Sequence, residues 1–186
     1  ALMLFKKNIM RTISIAILFV SMITCTTSII AQVNKRNTWN LSVGADVIYP
    51  ENYFRKTHSW GYGSTIKAEY LFDKHTSLIF STGAYSLSGK TSLLNPDART
   101  VWGIPIKAGL RYYLGNFYFG GDAGYLNQSG FEPNNGFAYS FFIGDEIITN
   151  KKNNNSLDLS IRHEAWVTDR TRAFASIRLA YEFRIR

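Results

Sequence analysis

The sequence predicts an all-β fold, in which eight antiparallel strands close into an up-and-down transmembrane β-barrel behind a cleavable signal peptide. Three observations carry this. Apolar and polar residues alternate at period two through eight segments of about 10 to 15 residues each. No stretch after the leader shows helical periodicity. Charged residues within the strands gather on one face while aliphatic and aromatic residues take the other.

The last segment, from Ala173, shows the pattern most clearly. Ala173, Ala175, Ile177, Leu179, Tyr181, Phe183 and Ile185 fall on one side, against Phe174, Ser176, Arg178, Ala180, Glu182 and Arg184 on the other. It is long enough for a tilted strand to cross a bilayer.

The chain opens on Lys6, Lys7 and Arg11, followed by the apolar run from Ile13 to Ile23. Ala31 is a small residue suited to cleavage, so residues 1–31 are expected to be a secretory signal peptide and 32–186 the barrel domain. Cys25 raises lipidation as an alternative, but Met22-Ile-Thr24 lacks the small residue that this processing favours. Removing the leader leaves 18 basic and 13 acidic residues, lowering the net charge from +8 to +5. No cysteine then remains for disulfides or thiolate sites. An exported chain does not meet nucleic acid, so that partner class drops out.

The strands follow in order. Trp39 to Tyr49 sets Leu41, Val43, Ala45 and Val47 against Ser42, Gly44 and Asp46, and residues 50–58 read as a polar loop. Ser59 to Phe72 sets Trp60, Tyr62, Ile66, Ala68 and Tyr70 against Lys67 and Glu69, before a turn at 73–75. Thr76 to Ser88 is a strand whose faces are hard to tell apart. After a loop at 89–99, Thr100 to Leu114 sets Trp102, Ile104, Ile106 and Leu110 against Lys107 and Arg111, with Pro105 expected to mark a bulge. Gly115-Asn116 makes a hairpin into Phe117 to Leu126, where Asp122 faces the polar side. A loop at 127–136 leads to Phe137 to Thr149, in which adjacent Asp145 and Glu146 cannot both share the polar face without a bulge or a rim position. After a turn at 150–155, Ser156 to Val167 sets Leu157, Leu159, Ile161, Ala165 and Val167 against Asp158, Arg162 and Glu164, and residues 168–172 link to the last strand.

Short turns alternate with longer loops, and the strand count is even, as closed bacterial barrels require. Tyr and Trp near the strand ends form two belts, where a flat ring and a polar tip suit the membrane interface. Eight strands enclose only enough room for side chains. Asp46, Lys67, Glu69, Lys107, Arg111, Asp122, Asp158, Arg162, Glu164, Arg178 and Glu182 are therefore expected to line the interior as a salt-bridged plug without an open pore, each charge having a partner. Arg55, Lys56, Arg99, Arg170 and Arg172 would stand at the outer rim, placed for lipid phosphates or lipopolysaccharide.

Trp102-Gly-Ile-Pro-Ile-Lys-Ala-Gly-Leu-Arg-Tyr-Tyr113, Asn116-Phe-Tyr-Phe-Gly-Gly-Asp-Ala-Gly-Tyr125, Ser156-Leu-Asp-Leu-Ser-Ile-Arg-His163 and Arg178-Leu-Ala-Tyr-Glu-Phe183 resemble the small outer-membrane β-barrel domain family abundant in Bacteroidota. The resemblance covers essentially the whole mature chain and implies eight strands, insertion into the Gram-negative outer membrane by the barrel-assembly machinery, and no assigned reaction. A monomer is expected.

No cofactor is implied, and no metal constellation appears, because His58, His75 and His163 are widely spaced and no cysteine pair exists. Two alternatives stand beside the structural or surface-interaction reading. A hydrolase acting on lipid A from the outer wall would use His163, but the position two residues on is Ala165 where a hydroxyl is needed. A soluble lipocalin-like binding barrel would reverse the faces, with Leu159, Ile177 and Leu179 inside and Arg162 and Arg178 outside.

Overall fold

The computed structural model describes residues 38–90, 99–150 and 155–185. It consists of β1 (Thr38–Pro50), the short helix α1 (Asn52–Thr57), β2 (His58–Leu71), β3 (Thr76–Gly89), β4 (Val101–Leu114), β5 (Phe117–Ser129), β6 (Asn135–Asn150), β7 (Asn155–Val167) and β8 (Thr171–Ile185). Each strand pairs antiparallel with its neighbour in sequence, and β8 closes on β1 into one barrel. Closure leaves no unpaired strand edge, so every wall strand has a ladder on both sides. The expected leader, Cys25, most of the 89–99 loop and most of the 150–155 turn lie outside the described residues.

The polarity of the wall follows from the alternation. Leu159, Ile177 and Leu179 are 45%, 57% and 53% exposed on the outside, whereas Arg162 and Arg178 are 3% and 1% exposed within. Paired strands keep their apolar outward positions level: Val47 lies opposite both Tyr62 and Ile177, and Ile177 opposite Ile161. Cross-strand neighbours at these positions form a continuous apolar band around the barrel.

The ladder also assigns what periodicity left open. In β3, Ser77, Ile79, Ser81, Tyr85 and Leu87 are buried while Phe80 is exposed outside. Pro105 produces no bulge: Pro105 pairs in unbroken register with Leu126, and the β3–β4 register is the same on either side of it. The missing N–H interrupts the ladder locally without inserting a residue. Glu146 enters the interior, and Asp145 stays on the outer face, half-buried, opposite Phe117 at the very start of β5. The adjacent acids are thus resolved by a rim position.

Two connections differ from their sequence reading. The 127–136 loop contracts to 130–134, because the β5–β6 ladder continues to Asn127 and Asn135. Backbone pairing persists there beyond the apolar alternation that signals a strand. Residues 50–58 are not a polar loop throughout but contain α1, entered through Asn52 at φ 47°, a left-handed conformation that asparagine tolerates.

Candidate functional site

The interior is layered between the end bearing the short turns and the end bearing the loops. At the loop end, Phe54 of α1 is fully buried among Ile48, Tyr85, Leu87, Val101, Leu126, Ala138, Trp166 and Phe174. Its ring lies 4.8 Å from His58, 6.1 Å from Phe131 and 6.2 Å from Trp166. Gly103 makes room for this plug, since a Cβ there would collide with the Trp166 ring. Phe54→Ala is expected to cost on the order of 3 kcal/mol in denaturant unfolding, as for other buried phenylalanines, with the barrel itself retained.

Below the plug, Lys107 reaches Glu164 and, at 3.2 Å, Asp122, and Arg162 bridges Asp122 and Glu164 at 3.3 and 3.5 Å. Ser140 donates to Asp122, and the Trp166 indole N–H donates to Glu164 Oε1 at 2.9 Å, tying the ionic layer to the plug. Nearer the turn end, Lys67 lies 3.3 Å from both Glu69 and Asp158 and 3.4 Å from Glu182. Arg111 meets Glu69 at 3.1 Å, Asp158 at 3.1 Å and Glu146 at 3.5 Å. Its guanidinium carbon stands 3.8 Å from the Tyr118 ring centroid, and Tyr118 in turn fits over Gly144.

All eleven residues expected inside are buried, yet not every one finds a counter-ion. Asp46 accepts from Thr65 Oγ1 at 3.2 Å, and among the described residues neither Asp46 nor Arg178 has an opposite charge within 4.0 Å. Nine members therefore join two ion-pair clusters, with Glu146 as an addition.

The rim cations divide. Arg55, Lys56, Arg99 and Arg170 are exposed at the loop end, with Arg55 5.1 Å from the Tyr49 ring. Arg172 is instead buried in the mouth, 3.6 Å from the Phe131 ring and donating to Asp169 Oδ1 at 2.7 Å. It is not placed for lipid phosphates, because the first inward position of β8 turns it into the barrel.

The Arg172 hydrogen bond, with help from Thr168, holds the Asp169 carboxyl down at about 2. A carboxylate whose folded pKa is depressed stabilises the fold above its unfolded pKa, near 4, and loses that contribution as pH falls toward 2. Asp169→Asn is expected to remove that slope from the acid limb and to lower stability above about pH 4 toward the acid value, with little change near pH 2, measured by melting across a pH series.

His163 is exposed on the outer wall, with Nε2 3.2 Å from Glu51 Oε2. Its ladder partners are Phe141 and Ala175.

By sequence, no family model and no curated relative matches the chain. Three solved structures share its architecture. Ail, the attachment invasion locus protein of Yersinia pestis, aligns at 14% identity over 80% of this chain and 99% of its own, with a TM-score of 0.53. The outer membrane protein OprG from Pseudomonas aeruginosa aligns at 10% identity over 83% and 98%, TM-score 0.56. Neisserial surface protein A aligns at 12% identity over 79% and 96%, TM-score 0.54. The likeness is one of fold.

Parity alone could have found Tyr113, Tyr118 and Trp166, each opposite an outward neighbour. Phe54 had no such signal, since nothing in residues 50–58 alternates.

Proposed function

We propose that this protein is an outer-membrane β-barrel of structural or surface-interaction type, closed as a conduit and carrying no catalytic centre. The single observation behind this reading is the reversed polarity of the wall, with aliphatic and aromatic residues outside and ion pairs within. In water an apolar band of this extent would drive aggregation, whereas in a bilayer it is the required outer surface. Aromatic pairs near the two ends, Trp39 with Tyr70 and Tyr181 with Phe183 at one and Tyr49 with Trp60 at the other, fit the two interfaces. The turn end is then periplasmic and the loop end outside.

The plug of Phe54, Trp166 and Phe174 and the two ionic clusters support a closed lumen. A family like the one abundant in Bacteroidota, insertion by the barrel-assembly machinery and a monomeric state fit a closed wall with no free edge. Arg55, Lys56, Arg99 and Arg170 are suited to the phosphates of outer-leaflet lipid or lipopolysaccharide.

Two measurements test this. The protein should fractionate with membranes and migrate faster in detergent gels before boiling than after, and planar bilayers containing it should show no steady conductance. Recovery as a soluble species without detergent would sink the membrane reading. Glutamine at the four exposed rim cations should weaken retention in the outer-membrane fraction under divalent-ion chelation.

The His163–Glu51 contact favours a second reading, a hydrolase acting on lipid A. It supplies a base and an orienting carboxylate, but the flanking outward positions Phe141, Ile161, Ala165 and Ala175 offer no hydroxyl nucleophile. Lipid A acyl chains should therefore be unchanged on expression.

A further inference from the structure

α1 closes the loop end through one side chain. Of its residues only Phe54 is buried, while Asn52, Tyr53, Arg55 and Lys56 are exposed. The helix is entered through the left-handed Asn52 and left through His58, whose backbone N–H donates to the Phe54 carbonyl. The β2–β3 ladder is irregular between His58 and Gly61. At its ends the segment is tied by Glu51 N–H to the Ala173 carbonyl at 2.9 Å, and by Lys90 N–H and Nζ to the Thr57 and Arg55 carbonyls at 2.8 Å each. An element held by one buried ring and a few backbone bonds at the rim belongs to the low-stability end of a fold.

His58 is part of the contact that holds Phe54. It is 5% exposed, with its ring centroid 4.8 Å from that of Phe54 and 5.6 Å from that of Phe131. Nδ1 meets the Thr57 hydroxyl at 2.8 Å.

The charges around this imidazole are mostly positive. From β8, Arg172 is buried in the same mouth, 3.6 Å from the Phe131 ring, and its charge opposes a second cation at His58. Arg55 and Lys56 of α1 and Lys90 after β3 are exposed nearby, and the Arg99 backbone is the one neighbour that favours an imidazolium. The carboxylates are engaged elsewhere or exposed: Asp169 with Arg172, Glu51 with His163 outside the barrel, Glu164 with the Trp166 indole below, and Glu132 in solvent. Histidine ion pairs among the described residues are those of His75 and His163, not of His58. Protonating His58 in place would therefore bury a cation beside a cation without a counter-ion.

We propose that α1 is an acid-released lid, in which protonation of His58 expels the Phe54 ring and uncovers the mouth of the barrel. With α1 displaced the imidazolium reaches water, so the proton binds the open form better and shifts the equilibrium toward it. A histidine in water takes up its proton near about pH 6.5, so the closed form is favoured above that value and lost as pH falls below it. The ionic clusters around Lys67 and Lys107 stay beneath, and release exposes an apolar mouth without opening a pore. The lid presupposes the closed barrel, and that reading is checked in the same samples by heat-modifiable migration.

The experiment uses the full chain refolded in detergent with Cys25→Ser, carrying either Ala138→Cys in the apolar ring around Phe54 or Ser88→Cys at the exposed end of β3 as a reference. Labelling by dithiodipyridine is followed at neutral pH and near pH 5, and the Ala138→Cys rate is divided by the Ser88→Cys rate at the same pH, which removes the titration of the thiol. The ratio should rise about tenfold or more on acidification. His58→Phe and His58→Gln, which take no proton, should each abolish the rise, whereas His163→Gln should leave it. Phe54→Ala should label fast at both pH values. If His58→Phe gives no heat-modifiable band, His58→Gln carries the test. A ratio that does not change with pH overturns the proposal, as does a rise that persists in a folded His58 variant. Loss of the heat-modifiable band near pH 5 in the wild type also overturns it, since the whole barrel and not the lid would then yield to acid.

Discussion

Ile177→Arg is expected to destabilise the barrel in lipid vesicles by about 2–4 kcal/mol, the cost of a cation on the lipid face near the bilayer midplane. Ile177 sits midway along β8, level with Val47 and Ile161, all three exposed on the outer wall. Arginine at Ile185, the last residue of β8, should cost only about 0–1 kcal/mol, because the headgroup zone hydrates it. In an aqueous barrel the order would vanish: exposed-surface changes stay within about 0.5 kcal/mol. Urea unfolding from vesicles, followed by tryptophan fluorescence, separates the two cases. Wild-type stability for Ile177→Arg in lipid would contradict a membrane-facing wall.

Arg111→Met is expected to be the most damaging interior change, at about 3–5 kcal/mol, since removing one member of a buried cluster strands its partners. Glu69, Glu146 and Asp158 would lose their shared guanidinium, and of the cations described in this cluster Lys67 would remain, 3.3 Å from Glu69 and Asp158. Adding Glu69→Gln should restore part of the loss, because it removes a charge left without compensation. Arg178→Met makes the comparison informative. Arg178 is equally buried but has no counter-ion within 4.0 Å among the described residues, so its loss should cost clearly less than that of Arg111. Equal effects would mean that charge burial alone, rather than pairing, governs the interior.

These two expectations rest on different kinds of information. The side on which Ile177 and Arg178 lie can be read from the alternation around them, because successive side chains of a strand point to opposite faces. The same rule assigns Lys67, Glu69, Lys107 and Arg111 to the interior without any coordinates. It fails where side chains carry little contrast, as in β3, and where Asp145 and Glu146 stand together and parity must sacrifice one. It also has nothing to say about α1, whose Phe54 plugs the mouth from a segment with no period.

Parity therefore decides in or out, but it does not decide which interior groups meet. Asn40 and Glu182 touch across 142 positions of sequence because β8 closes on β1 at one particular register. A two-residue shift of that register would keep every face assignment and part the groups that meet across it, such as Asn40 and Glu182. Local alternation on its own thus establishes an eight-stranded wall, greasy outside and charged within. The gathering of Glu69, Glu146 and Glu182 from β2, β6 and β8 and the lack of a described counter-ion for Arg178 are consequences of ring closure, where distances are set by strands far apart in the chain.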